Sequence, residues 1–229
     1  MMKLPFKRKV GFSPDVYQDK QGAWFALIAI GGILYFVVAV VALHVLRSEL
    51  NPIRRAVSNY AVGPFGFFMT AAFFTLALSE FALALGLARS LTTSKGAFVS
   101  VLLLNLAGAG LVVTGIFPGD VKSLHPPATT TALIHWTGAG ISFLSLMIAT
   151  FLLSNCFKTD AQWQSFHRPA FALAVAVVLA LLVFGMLTII GWVGVGERIY
   201  IAASVLWLLR ASVRLRSIAT SRTQGRSFS

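Results

Sequence analysis

Charged residues are scarce in this chain of 229 residues: Asp, Glu, Lys and Arg together make up 11% of it. Soluble domains contain about 25% of these residues. Hydrophobic residues account for 57% of the chain, and the mean hydropathy is +0.82. This composition excludes an ordinary soluble domain and indicates an integral membrane protein, whose helices need about 20 apolar residues each to cross the bilayer.

Cysteine and the common motifs of metal or cofactor binding are also lacking. Cys156 is the single cysteine, so no disulfide can form within the chain. The four histidines lack paired metal-ligand spacing, and no nucleophile elbow is present. The glycines of 191–196 do not follow a strand, as those of a phosphate-binding loop would. We therefore expect neither a metal nor a cofactor.

Six apolar stretches have, or approach, the length of a transmembrane helix. They cover residues 24–46, 65–87, 97–117, 132–153, 169–193 and 199–213. Residues 1–23 form a basic, polar tail, and residues 216–229 form a second basic tail that we expect to be disordered. The sequence therefore predicts an all-α bundle of six transmembrane helices, within a membrane domain that spans residues 24–215.

The distribution of Lys and Arg predicts the orientation of this bundle. The N-terminal tail, the second and fourth loops and the C-terminal end from Arg210 onward contain 14 of these residues, and the opposite side contains five. Because positive residues concentrate on the cytoplasmic side, both termini should face the cytoplasm of a prokaryotic plasma or inner membrane. The basic tails would then lie against anionic membrane lipid, so the net charge of +12 does not indicate nucleic-acid binding.

Polar residues cluster on the opposite, outer side, around a hinge at residues 115–136. The fourth segment has small and polar residues at helical spacing, which should direct its first member into the bundle: His135, Gly138, Ser142, Ser145 and Ala149. The predicted ligand-binding residues are Ser58, Tyr60, Asp120, Lys122, His135, Glu197 and Arg198. Because buried charges need partners, we predict that His135 pairs with a carboxylate and that Arg198 pairs with Asp120 or Glu197.

Two further predictions concern the helix faces. Glu80 lies inside the second segment, and we interpret it as a protonated structural acid that bonds to Asn105 or Ser100; the alternative is a proton or cation site. On the first segment, a stripe of small residues and one tyrosine should face the other helices: Gly32, Tyr35, Ala39 and Ala42. His44 should then point roughly the opposite way.

Four short motifs resemble those of a prokaryotic family of six-helix membrane proteins, catalogued as domain of unknown function 998. The motifs are Ser58-Asn59-Tyr60-Ala61-Val62-Gly63, Gly115-Ile116-Phe117-Pro118-Gly119-Asp120, Leu133-Ile134-His135-Trp136 and Gly196-Glu197-Arg198, with Trp207 one helix face further on. The resemblance implies a six-helix fold with the same outward-facing residues and no established activity. A weaker similarity extends to the damage-regulated autophagy modulator family, which has a Ser in its first loop, a His opening its fourth helix and a Glu opening its sixth.

Three classes of function remain open. The first is a protein that binds or handles a lipid or another amphiphile, with Arg198, Lys122 and His135 around an anionic headgroup. The second is a membrane hydrolase or transferase, in which His135 acts as a base oriented by Asp120 or Glu197 and activates Ser58 or a metal-bound water. The third is haem-based electron transfer, for which only His44 and His135 could be axial ligands.

Overall fold

The computed structural model describes residues 14–92, 94–120 and 128–225. These residues form six α-helices and one short 3-10 helix, and no strand occurs among them. The elements are α1 (Pro14–Leu46), the 3-10 helix (Val57–Ala61), α2 (Gly66–Ser90), α3 (Lys95–Ile116), α4 (Thr130–Cys156), α5 (Gln164–Ile189) and α6 (Val193–Gly225). The prediction of an all-α fold with six helices is confirmed.

Five of the helices, α1 to α5, are long and apolar enough to cross a membrane. Helix α6 is not among these candidate spans. Charged residues, among them Glu197, Arg198 and Arg210, flank its uncharged stretch on both sides. Together with the composition, the five apolar helices indicate a multi-pass membrane protein.

Two helices are longer than predicted. Helix α1 begins at Pro14 and not at residue 24. Proline is well suited to the first position of a helix, because the backbone N–H group that it lacks would have no partner within the helix there. Helix α6 continues to Gly225, so most of the tail that we expected to be disordered is helical. Residues 214–224 contain no glycine or proline that would end the helix earlier.

The helices pack as a ring in chain order, which α6 closes by packing against both α5 and α1. Helices α3 and α4 approach closely at Gly110, which has no side chain to keep the backbones apart. A Cβ atom added to Gly110 would lie 2.5 Å from the carbonyl oxygen of Gly138. The sparsest packing between chain neighbours is between α4 and α5. We call the end of the ring with the α1–α2, α3–α4 and α5–α6 connections the outer end, as predicted from the charges.

Helix α1 packs through a different face from the predicted one. Tyr35 and Ala42 are exposed, and only Gly32 and Ala39 of the predicted stripe face the protein. The buried face comprises Ala26, Ala29, Ile33, Phe36, Ala39 and Leu43. The prediction was wrong because α1 is apolar on every side, so hydropathy does not distinguish a face against protein from a face against lipid.

Candidate ligand-binding site

A cavity of about 230 Å³ lies at the outer end, where α4, α5 and α6 meet the α1–α2 connection. Its polar lining consists of Ser58, Asn59, Asp120, His135, Thr188 and Glu197. Its apolar lining consists of Ala56, Trp136, Ala139, Phe143, Phe184 and Val193, and Gly119 and Gly140 complete the wall. The four residues considered as catalytic candidates, His135, Asp120, Ser58 and Glu197, therefore surround one cavity.

His135 is 2% exposed and is held by the end of α3. Its Nδ1 atom lies 2.7 Å from the carbonyl oxygen of Phe117 and 3.1 Å from that of Thr114. Both oxygens belong to the last turn of α3 or its cap, where carbonyl groups have no partner within the helix. Because carbonyl oxygens only accept, Nδ1 must bear the proton, and the Nε2 atom of the neutral ring is then an acceptor.

Asp120 binds the two residues just before α4, of which Thr129 is the N-cap residue. Its Oδ2 atom accepts hydrogen bonds from the backbone N–H groups of Ala128 (2.8 Å) and Thr129 (3.2 Å), and its Oδ1 atom accepts from the Thr129 hydroxyl (3.0 Å). A carboxylate close to a helix N-terminus is favoured by the helix dipole. The predicted bonds of Asp120 to His135 or Arg198 are therefore replaced by backbone bonds.

Glu197, like Asp120, accepts a backbone hydrogen bond, in this case from the α1–α2 connection. Its Oε2 atom accepts a hydrogen bond from the backbone N–H of Val57, the first residue of the 3-10 helix. Its side chain also lines the cavity, and the residue is 7% exposed. Glu197 thus attaches the 3-10 helix to the second turn of α6, and this attachment positions Ser58 and Asn59 on the cavity wall.

Arg198 points away from the cavity lining and into the α1–α2 connection. Its Nη1 atom donates to the carbonyl oxygens of Pro52 (3.0 Å), Arg55 (2.9 Å) and Gly194 (2.9 Å). Its Nη2 atom donates to the hydroxyl of Tyr60 at 3.2 Å. The predicted pairing of Arg198 with Asp120 or Glu197 is wrong, because loop carbonyl groups, which have no helical partners, occupy the guanidinium.

His44 completes this arrangement, which we call the Arg198 corner: Arg198, His44, Tyr60, Gly194 and residues 52–55. The Nε2 atom of His44 accepts from Nε of Arg198 at 2.8 Å, while its Nδ1 atom lies 2.6 Å from the carbonyl oxygen of Val40. These partners require a neutral imidazole with its proton on Nδ1. The prediction that His44 points away from the bundle is wrong, since α1 is rotated relative to the predicted face.

Arg47 was missed by the sequence interpretation, which counted it only as a loop charge. It is 5% exposed, and its Nη1 atom donates to the carbonyl oxygens of Val62 (2.8 Å) and Pro64 (3.0 Å). Its Nε atom pairs with Glu49, and this hydrogen bond lowers the pKa of the Glu49 carboxyl. An arginine directly after an apolar span was the available signal, because loop carbonyl groups near a helix end need donors.

Asn59 was also missed as a site residue. Its Nδ2 atom donates to the backbone oxygen of Asp120 at 3.4 Å, which joins the α1–α2 connection to the hinge. Its buried Oδ1 atom has no hydrogen-bond partner among the described residues. Of the other predicted ligand-binding residues, Tyr60 is buried in the Arg198 corner, and Lys122 lies outside the described residues.

The predicted partners of Glu80 are wrong as well. Asn105 donates to the carbonyl oxygen of Val101 at 2.8 Å, and Ser100 donates to that of Gly96 at 2.6 Å. Both side chains bond back to their own helix, as Ser and Asn commonly do within helices. Glu80 instead faces α4 and α6, where it lines a second, smaller cavity.

The large cavity combines hydrogen-bond acceptors with an aromatic wall. The acceptors are Oδ1 of Asn59, Nε2 of His135 and the carboxylate of Glu197, and the Ser58 hydroxyl can donate or accept. Trp136, Phe143 and Phe184 form the apolar side. No group of three His, Cys, Asp or Glu residues with metal-binding geometry occurs within 14–92, 94–120 and 128–225. The arrangement is suited to an organic ligand with a polar and an apolar part.

A comparison with protein families identifies one match, to the family described as "Protein of unknown function (DUF998)", over residues 29–214. The match covers all six helices except the ends of α1 and α6, and it includes every residue that lines the cavity. No curated protein and no solved structure matches the chain. The chain therefore belongs to the DUF998 family.

Proposed function

We propose that the outer cavity binds the polar part of an amphiphilic molecule, a membrane lipid in the simplest case, while the apolar part leaves between α4 and α5. One observation supports this proposal above the others: the cavity has a polar wall from the α1–α2 connection and the hinge, and an aromatic wall from α4 and α5. A pocket for an amphiphile needs both kinds of wall.

The space beside Gly140 supports an exit between α4 and α5. Gly140 lines the cavity, and a Cβ atom added to it would meet no atom within 4 Å. The packing between α4 and α5 is also sparser than that between the other helices adjacent in the chain. An acyl chain could therefore pass from the cavity to the lipid without the displacement of a helix.

The charges of the cavity favour a particular headgroup chemistry. The described lining contains Asp120 and Glu197 and includes neither Lys nor Arg, because Arg198 is bonded to the loop carbonyl groups. The unbonded polar atoms are mainly acceptors. We therefore propose a headgroup that presents hydroxyl or amine donors, and not the anionic headgroup expected from the sequence.

Mass spectrometry of lipids that co-purify with the protein tests this proposal. Gly140→Leu should fill the cavity mouth and remove the selected amphiphile, because the new side chain occupies its path. Gly31→Leu is the matched control, since Gly31 lies on the exposed face of α1 and also has no atom within 4 Å of an added Cβ. Equal lipid profiles for the two variants and the native protein would contradict the proposal.

Catalysis is a second candidate, which the geometry of His135 favours. The Nδ1–H group of His135 donates to two carbonyl groups, so its Nε2 atom is free to act as a base. The hydroxyl of Ser58, a possible nucleophile, lies on the wall of the same cavity. A serine hydrolase should react with a fluorophosphonate probe, and Ser58→Ala should abolish the labelling. The absence of labelling in the native protein would exclude Ser58 as an activated nucleophile. Haem ligation gains no support, because both ring nitrogens of His44 already have partners.

We also propose that α6 crosses the membrane, with both termini in the cytoplasm of a prokaryotic plasma or inner membrane. Helix α6 packs along both α5 and α1, which are themselves long and apolar enough to span. Reporter fusions after Lys95 and Lys158 should be cytoplasmic, and fusions after Lys122 should be external. The reverse result would place the cavity on the cytoplasmic side.

A further inference from the structure

A second cavity, of about 30 Å³, lies deeper in the bundle, and we call it the inner cavity. Its polar lining consists of Glu80, Ser142, Tyr200 and Ser204, from α2, α4 and α6. The remaining lining is apolar and comprises Leu76, Leu111, Phe143, Leu146, Ile201, Val205 and Leu208. The inner cavity therefore combines a carboxyl group and three hydroxyl groups inside an apolar shell.

Two side chains of the inner cavity have polar atoms without partners. Glu80 is 0% exposed, and neither of its carboxyl oxygens has a hydrogen-bond partner among the described residues. The buried hydroxyl of Ser204 likewise has no partner within hydrogen-bond geometry in the described part of the chain. Buried polar atoms are rarely left unsatisfied in native proteins, and bound water is the usual partner where a cavity has room for it.

The volume and the charges decide what this cavity can hold. A space of about 30 Å³ exceeds the roughly 10–15 Å³ that one water molecule requires, and it leaves no room for a hydrated ion. Of the described residues that line it, Tyr200 is the only other titratable one, so no cation balances a carboxylate. An uncompensated buried carboxylate is strongly disfavoured, whereas a neutral carboxylic acid can donate to one water molecule.

Phe143 lines both the inner cavity and the outer one, so the two cavities meet at this residue. Its ring packs against Tyr200 at 4.5 Å and against Phe184 at 6.0 Å, and its carbonyl oxygen accepts from the Tyr200 hydroxyl at 2.7 Å. A rotation of one aromatic side chain would therefore connect Glu80 with the polar wall of the outer cavity. A side-chain rotation of this kind is a local motion and does not require helix displacement.

We propose that Glu80 and Ser204, together with one water molecule, form an internal proton-binding site that exchanges its proton with the outer cavity past the Phe143 ring. In this exchange the acid donates its proton to the bound water while the water returns one of its own protons to the other carboxyl oxygen, so that one O–H bond breaks as another forms and no charge is left behind. The water that now holds the original proton then exchanges with solvent through the outer cavity. The carboxyl group is neutral before and after, and the site does not depend on which ligand the outer cavity binds.

Infrared spectroscopy of the protein in lipid nanodiscs tests the protonation of Glu80. The chain contains three glutamates, Glu49, Glu80 and Glu197, so labelling with ¹³C-glutamate confines the assignment to these residues. At neutral pH we expect a C=O stretch of a protonated acid that persists in Glu197→Gln, where Glu80 is the one buried glutamate left, and that is lost when Glu80→Gln is added to that variant. If Glu80→Gln does not fold, the band retained by Glu197→Gln identifies Glu80, since exposed Glu49 is paired with Arg47.

The rate at which this band shifts after transfer to D₂O tests the path. Phe143→Ala should accelerate the shift by roughly tenfold or more, because it removes the barrier between the two cavities. Phe151→Ala is the matched control, since Phe151 lies on the same helix, packs against Phe171 and lines neither cavity. An ionised Glu80 at neutral pH, or an unchanged exchange rate in Phe143→Ala, would overturn the proposal.

Discussion

The Arg198 corner and the seam between α4 and α5 lie at the same end of the molecule and differ in how their polar atoms are used. In the corner, one guanidinium donates to three carbonyl oxygens, a histidine and a tyrosine. At the seam, Gly140 faces open space, and in the cavity that the seam borders, Oδ1 of Asn59 has no partner among the described residues. Residues that look alike in the sequence are thus structural in one region and available to a ligand in the other.

The largest effect should follow from the removal of the corner's guanidinium. Arg198→Ala should lower the free energy of unfolding by roughly 3 kcal/mol, because several loop carbonyl groups and the His44 ring lose their donor at once. Thermal unfolding in detergent measures this loss. Arg54→Ala is the control, since Arg54 is exposed on the same connection and should change stability by less than about 0.5 kcal/mol. Similar unfolding temperatures for both variants would show that the corner is not structural.

A pair of glycine substitutions sharpens the comparison, because the two regions should respond with opposite signs. A Cβ atom at Gly194 would lie 2.3 Å from the carbonyl oxygen of Pro52, so Gly194→Ala should destabilise by about 1–3 kcal/mol. Gly140→Ala meets no atom and should stabilise α4 by up to about 1 kcal/mol, since alanine favours helix more than glycine. Both changes are measurable by thermal unfolding. A loss of stability in Gly140→Ala would mean that the seam is closed.

The smallest effect concerns Asp160, a fully bonded acid in the α4–α5 connection. Burial raises the pKa of its carboxyl, but hydrogen bonds from Thr92, Gln162 and Trp163 outweigh burial and lower the pKa overall. A lowered pKa in the folded state gives a stabilisation that is complete above the unfolded pKa of about 3.9 and is lost as the pH falls through the folded value.

Asp160→Asn should therefore cost roughly 1 kcal/mol at neutral pH, and the difference from the native protein should shrink below about pH 4. Denaturation measured from pH 7 to pH 3 checks this trend. A difference that grows as the pH falls would contradict the bonding that we assign to Asp160.

The sequence predicted the features of the fold that depend on local periodicity. The spacing of His135, Gly138, Ser142, Ser145 and Ala149 identified one face of α4, and all five residues are buried. Small and polar residues are unfavourable against lipid relative to leucine or valine, so a stripe of them on an otherwise apolar helix has to face protein. The same reasoning failed on α1, where every face is apolar.

The hydrogen-bond partners could not be predicted, because they depend on where the chain places its unpaired backbone groups. Asp120, Glu197, His135 and Arg198 were expected to bond to each other, and each bonds to backbone groups of a loop or a helix end instead. Carbonyl and N–H groups at helix ends and in loops outnumber the charged side chains and must also be satisfied. The sequence therefore located the candidate site and misassigned its interactions.

A structure determined in lipid nanodiscs would test the proposed ligand most directly. We predict density for an amphiphile with a polar atom within hydrogen-bond distance of Oδ1 of Asn59 or Nε2 of His135, and with an apolar chain that passes Gly140 between α4 and α5. A cavity that contains only water, with lipid restricted to the outer surface of the helices, would contradict the proposal.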